Sequence, residues 1–190
     1  GGLGEATITK AADACLRRPS IVLNQSLDWT TFFSFAVDNL PGSPSAGDER
    51  GIGGAAKQSG GGGDGDGYMY LVKRNPGNTA WDIVARIGSN EQVMIAGYTP
   101  DDWYCAVTVK SGSNVTPYLL DSVGTKTTGT AQAFVQYDAV HFGRHRNDAS
   151  EIECDVKIAG SYVEVQAAWT AAEIDVMRPR DEYPFGVTPV

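Results

Sequence analysis

Apolar and polar positions alternate along most of this chain with the two-residue period of β-strands. In WTTFFSFAVDN, residues 29–39, Phe33, Phe35 and Val37 take one face while Phe32, Ser34 and Ala36 take the other. That pattern predicts a sandwich strand, well packed on one side and partly covered on the other. Two strand candidates flank a polar break at 24–26 within residues 20–40. YMYLVKR (68–74) runs into NPGN, a turn by composition. WDIVARI (81–87) sets Trp81, Ile83, Ala85 and Ile87 against Asp82, Val84 and Arg86, and GSNE turns the chain into QVMIAGY (92–98). DDWYCAVTVK (101–110) places Trp103, Cys105, Val107 and Val109 on one side, and the tight turn SGSN leads to VTPYLLDSV (115–123). Pro117 belongs at a bulge or an edge, because it has no N–H to give to a ladder. AVHFGR (139–144), SEIECDVKIAG (150–160) and SYVEVQAAW (161–169) complete a set of roughly ten strands spaced by turns. The expectation is an all-β chain, an antiparallel sandwich or barrel with no doubly wound alternation of strand and helix.

Two segments break the rhythm. AAWTAAEIDVM (167–177) reads as one short C-terminal helix: Thr170 stands three residues before Glu173, the spacing of a capping box, and Pro179 stops continuation. Ile174 and Met177 share one side of it. PGSPSAGDERGIGGAAKQSGGGGDGDG (41–67) offers almost nothing to bury and reads as a long Gly-rich flexible loop. The division is therefore one domain over 1–178, interrupted by that loop, and an extended, Pro-rich C-terminal arm over 179–190.

Composition narrows the classes. The 190 residues suit a single sizeable domain, and 42% hydrophobic content is too much for a mainly disordered chain. A net charge of −8, dispersed along the chain, argues against direct nucleic-acid binding, since phosphates need a positive field. The three cysteines, Cys15, Cys105 and Cys154, cannot all pair within one chain, and no CxxC or His-spaced pair suggests zinc. They read as buried free thiols of a protein made in a reducing compartment. No secretory h-region opens the chain, and no apolar run approaches the ~18 residues of a membrane span.

The second half resembles a known pattern. DDWYCAVTVKSGSNVTPYLLDSVGTK is similar to the Trp-led hairpin of the concanavalin A-like lectin/glucanase superfamily, within it the LamG-like and pentraxin-like jelly rolls. Trp103, Ala106, Val107, Thr108, Gly112, Tyr118 and Asp121 carry the match. HFGR (141–144) resembles the family's h-x-h-G-R strand, where h is apolar, and DVKIAGSYVEVQAAWTAAEI resembles its closing strand and [ST]-x-x-E-I helix start. The family's G-x-I before the final strand is blurred here into CDVKIAGSYVEV. The likeness covers residues 81–177 well and 5–40 loosely, and omits the glycine tract. It implies a jelly roll whose terminal helix covers an open end of the sandwich, with Ile174 and Met177 docked on apolar strand ends.

Candidate chemistry is sparse. Glu151, Glu153 and Asp155 alternate on one strand face, the way glycosidases on this fold present their acids, but a solvated outer face explains the alternation equally well. No residue is assigned a catalytic role. Asp64 and Asp66 in GDGDGY are spaced like the opening of a calcium loop, without its closing glutamate, so calcium is the one possible cofactor. His141 and His145 stand ~13 Å apart if both lie on one strand, too far to share a metal. Tyr68, Tyr70, Tyr98 and Tyr104 are candidates for a sugar groove. The first expectation is a non-enzymatic structural or binding protein of a tailed-phage virion, resembling LamG-like capsid decoration proteins and head or tail appendages. It would assemble in the host cytoplasm as a homo-oligomer, with a major capsid protein as partner. A carbohydrate-binding lectin-like module, calcium-assisted and directed at a cell-surface glycan, is the alternative, and a polysaccharide hydrolase or lyase comes third.

Overall fold

A computed structural model describes residues 5–8, 16–18, 23–38, 40, 45–56, 67–100, 102–137, 139–143 and 155–177. Thirteen strands and one helix fall among them. The strands are β1 (Glu5–Ile8), β2 (Leu16–Arg18), β3 (Trp29–Asp38), β4 (Glu49–Ala56), β5 (Tyr68–Arg74), β6 (Trp81–Ile87) and β7 (Asn90–Ile95). They continue with β8 (Tyr104–Ser111), β9 (Asn114–Leu120), β10 (Lys126–Thr128), β11 (Gln132–Ala133), β12 (Ala139–Phe142) and β13 (Asp155–Val165). The helix is α1 (Ala171–Asp175). All pairings are antiparallel. A seven-stranded sheet runs β1-β13-β3-β8-β9-β10, with β11 also on β9, and a six-stranded sheet runs β2-β12-β4-β5-β6-β7. The expected antiparallel sandwich is what the chain forms.

Between the sheets lies the main core, and its membership follows the alternation. Phe33, Phe35 and Val37 of β3 face Tyr70, Val72 and Ile83 across the gap. The Phe33 ring meets Phe142 edge-on at 5.0 Å and Tyr70 at 5.9 Å. The tyrosine hydroxyls bridge the sheets as well. Tyr70 Oη donates to the Val107 carbonyl at 2.7 Å, and Tyr68 Oη lies 2.6 Å from Thr31 Oγ1. Tyr98 Oη receives the Val37 N–H and donates to the Val37 carbonyl, both at 2.8 Å. Buried hydroxyls need such partners, and these three turn each ring into a cross-link. The proposed sugar groove is thereby corrected: Tyr68, Tyr70, Tyr98 and Tyr104 are all buried core residues.

Pro117 sits where its lack of an N–H costs least. On one side of β9, β10 pairs with 118–120 and β11 with 114–115, leaving a gap in the ladder at Pro117. β13 is one strand, not two, and its pairing with β3 shifts register between Ala159 and Val163. That irregularity falls within the blurred family motif.

The terminal helix differs from expectation in place. Ile174 and Met177 are buried, but against Phe32, Cys105, Val107, Val109 and Leu120. These residues alternate with the core-facing Phe33, Ala106 and Leu119, so α1 covers the outer face of the seven-stranded sheet rather than an open end of the sandwich. Thr170 and Glu173 form the predicted capping box. So short a helix is unstable alone, and burial of its two apolar side chains, ~1.5–3 kcal/mol each, holds it down.

A larger correction concerns the glycine tract. Residues 49–56 are no loop: β4 is buried between β12 and β5. Large apolar residues are scarce there because no room exists for them. A Cβ on Gly53 would stand 2.4 Å from Phe142 Cδ1, and one on Gly54 would stand 2.3 Å from the Tyr68 carbonyl oxygen. The glycines let aromatic neighbours close over the strand. Residues 41–44 and 57–66, and the proposed arm over 179–190, lie outside the described residues.

Candidate binding cleft

On the six-stranded sheet the face turned away from the core carries Met69, Leu71 and Lys73 of β5, Asp82, Val84 and Arg86 of β6, and Glu91 and Val93 of β7. Near the β7 edge this face opens into a cleft of about 550 Å³. That volume falls within the ~300–1,000 Å³ typical of small-ligand sites. Val84 and its cross-strand partner Val93 form the floor, and Val93 is 57% exposed. Two turns make the walls. In the first, the Ser45 N–H bonds the Asp48 carboxylate at 2.9 Å, and the Gly47 N–H bonds the Arg74 carbonyl at 3.1 Å. The second follows β5, where Asn75 Oδ1 accepts the Thr79 N–H at 2.9 Å and Asn78 takes a positive φ of 52°. Asparagine tolerates that conformation better than most residues. Asn75 and Pro76 face the cleft from this turn.

Charge at the cleft is arranged in two parts. Lys73 and Arg86 share Glu49 and Glu91: Lys73 Nζ lies 2.6 Å from Glu91 and 3.6 Å from Glu49, and Arg86 Nη2 lies 2.6 Å from Glu49. Arg86 Nε also donates to Glu91 at 2.8 Å. Burial alone would raise the Glu91 pKa, but the bonds from Lys73 and Arg86 outweigh it and hold the carboxyl below its usual range. Burial likewise works against the Arg86 charge, and the two glutamates overcome it, raising that pKa. The quartet is thus internally neutral.

Asp82 stands apart from it. Although Lys73 is its cross-strand neighbour, that lysine turns to the glutamates. Asp82 is only 9% exposed, accepts the Gly97 N–H through Oδ1 at 2.9 Å, and lines the cleft. Gln92, also on the cleft wall, is spent on structure: its amide bonds both the N–H and the carbonyl of Thr130.

Asp64, Asp66, Glu151, Glu153 and His145 lie outside the described residues, and Asp155 opens β13 opposite Asp38. His141 is buried in β12. Among the described residues, no group of three or more His, Cys, Asp or Glu is placed to hold a metal ion, and no helix is long and apolar enough to cross a membrane. The cleft itself escaped sequence reading. The alternation sets Asp82 only on the face opposite Trp81, and the cleft walls come from turns more than twenty residues apart along the chain.

No family model and no curated protein matches this sequence. Solved structures do match by shape. Trypanosoma rangeli sialidase superposes with a TM-score of 0.59 at 13% identity, over 79% of this chain and 22% of that one. The binding domain of botulinum neurotoxin serotype G gives 0.55 at 11% identity, over 90% of this chain and 41% of that one. The heptameric SAP-like pentraxin of Limulus polyphemus gives 0.54 at 10% identity, covering 90% and 79%. The fold is an antiparallel β-sandwich of the shape seen in these structures. At these identities the likeness concerns fold alone, and the chain spans about a fifth of the sialidase it matches.

Proposed function

We propose that this protein is a non-enzymatic binding module that takes a carbohydrate in the cleft beside β7. The observation carrying this reading is the pairing of an apolar floor, Val84 and Val93, with the carboxylate of Asp82 inside one cleft of about 550 Å³. A sugar ring offers a matching pair of surfaces, C–H groups for the floor and hydrogen-bond donors for the acid. Among the structural neighbours is a sialidase solved with sialic acid, which supports glycan recognition without specifying the glycan. The test is a glycan array followed by NMR titration of the intact chain. Binding should shift the amides of 73–76 and 91–93, and silence across a broad array sinks the reading. Release of reducing ends from a polysaccharide, lost on Glu153→Gln, would instead make the protein a hydrolase. A melting temperature that rises with calcium and is insensitive to Asp64→Asn with Asp66→Asn would place any metal away from the glycine tract.

A second reading puts the module on a virus particle, as a capsid decoration or appendage protein binding a major capsid protein. What supports it is the sequence resemblance together with Cys105, a free thiol with no solvent exposure, as suits assembly in a reducing cytoplasm. Co-purification with assembled particles tests it directly, and a particle preparation without the chain ends it.

A further inference from the structure

We propose that the cleft seats a protonated primary amine of its ligand on Asp82, which makes amino sugars, rather than neutral or N-acetylated ones, its preferred class. The inference rests on the carbohydrate reading above and adds the group that selects among carbohydrates.

The reason lies in what surrounds Asp82. The residue is only 9% exposed, and among the described residues its carboxylate has one hydrogen bond, from the neutral Gly97 N–H. Three cations lie nearby on the same strands, and each is engaged elsewhere. Lys73 is held by Glu91 and Glu49. Arg86 is held by the same two glutamates. Arg74 lies over the Trp81 ring at 5.7 Å and donates to the side chain and carbonyl of Asn78 at 2.7 and 2.6 Å. Among the described residues no cation reaches salt-bridge distance of Asp82. A carboxylate on a cleft wall with no cation of its own within reach is open to a ligand that brings one. A hydroxyl could also donate there, but a charge-assisted bond is about twice as strong as a neutral one. The chain's net charge of −8 favours approach of a cation as well. Val84 and Val93 then lie beside the acid to receive the C–H face of the ring.

The experiment titrates the intact protein by calorimetry with two oligosaccharides of equal length, glucosamine oligomers and N-acetylglucosamine oligomers, at about pH 5, where most of the amines are protonated and the aspartate stays largely ionised. The glucosamine oligomer should bind at least about tenfold tighter, as one added charge-assisted contact implies. Asp82→Asn keeps an acceptor for the Gly97 N–H and should erase that advantage. Val93→Lys, at an exposed position that leaves the core intact, should also abolish it by supplying a competing ammonium. Equal or tighter binding of the N-acetylated oligomer would overturn the amine assignment while leaving the carbohydrate reading in place. Binding of oligolysine with neither saccharide bound, or no binding at all, would overturn the amino-sugar assignment, and the carbohydrate reading would then stand or fall with the glycan array.

Discussion

Gly53→Ala should destabilise this protein, although the same change in an exposed glycine-rich loop would do the opposite. A Cβ at residue 53 would lie 2.4 and 2.8 Å from Phe142 Cδ1 and Cε1, and 3.2 Å from Phe33 Cζ. Both rings are buried and meet edge-on at 5.0 Å, so Phe142 cannot retreat without disturbing Phe33. Overpacking of this kind costs ~1–3 kcal/mol. Against that, alanine stiffens the unfolded chain and returns ~0.4–1 kcal/mol. An approach as close as 2.4 Å puts the overpacking in the upper half of its range, ~2–3 kcal/mol, and the balance is a net loss of about 1–2.6 kcal/mol. With a urea slope of ~2 kcal/mol per molar, the unfolding midpoint should fall by roughly 0.5–1.3 M at unchanged slope. Phe142→Leu opens space at the contact, so in the double variant the two losses should fall short of additivity by at least ~0.5 kcal/mol. A midpoint that stays put or rises in Gly53→Ala, or strict additivity in the double variant, would refute the packing of β4 beneath Phe142.

Other outcomes follow from the same structure. Ile174→Ala should cost ~2–5 kcal/mol, because the side chain has no solvent exposure beneath α1. The same variant should speed thiol labelling of Cys105 in a Cys15→Ser, Cys154→Ser background, since burial now pushes that thiol up to about 12; unchanged labelling would mean the helix shields something else. Glu91 is held below its ordinary range in the folded state, so its stabilisation is fully present above the unfolded value of ~4.3 and is lost as pH falls through the folded one. Glu91→Gln should therefore lower stability near neutrality and flatten the acid limb, and parallel acid limbs in the two proteins would remove the quartet from the account. Tyr70→Phe should cost ~1–2 kcal/mol by chemical denaturation, because it leaves the buried Val107 carbonyl short of a donor and breaks a cross-sheet bond; an unaltered midpoint would mean water replaces the hydroxyl.

Alternation was the most legible signal in the sequence, and for a clear reason. In β3 and β8 a misplaced side chain would either empty the core or strip the patch under α1, so both faces are written in apolar residues. The helix was equally plain, since its capping box is a local bond between Thr170 and Glu173. Its position was not, because docking on the outer face depends on Phe32 and Leu120, distant residues whose outward direction reads as exposure. β4 was illegible because its strand character comes from neighbours. Gly53 and Gly54 bury no side chain themselves, and only the neighbouring Phe142 and Phe33 rings and the β5 backbone make the absence of side chains a requirement. The cleft stayed hidden on similar grounds, since an outward aspartate carries no mark of being walled in by turns contributed from elsewhere.

Because Ile174 and Met177 follow β13, the ribosome delivers every strand before the residues that shield Phe32, Val107, Val109 and Leu120. Through that interval the nascent sheet presents a sticky aliphatic surface to other unfinished chains. Polypeptides halted before Thr170 would carry that surface permanently. Quality control in the cell should see them as clients for chaperones and proteases, even though all thirteen strands of the described residues have been made.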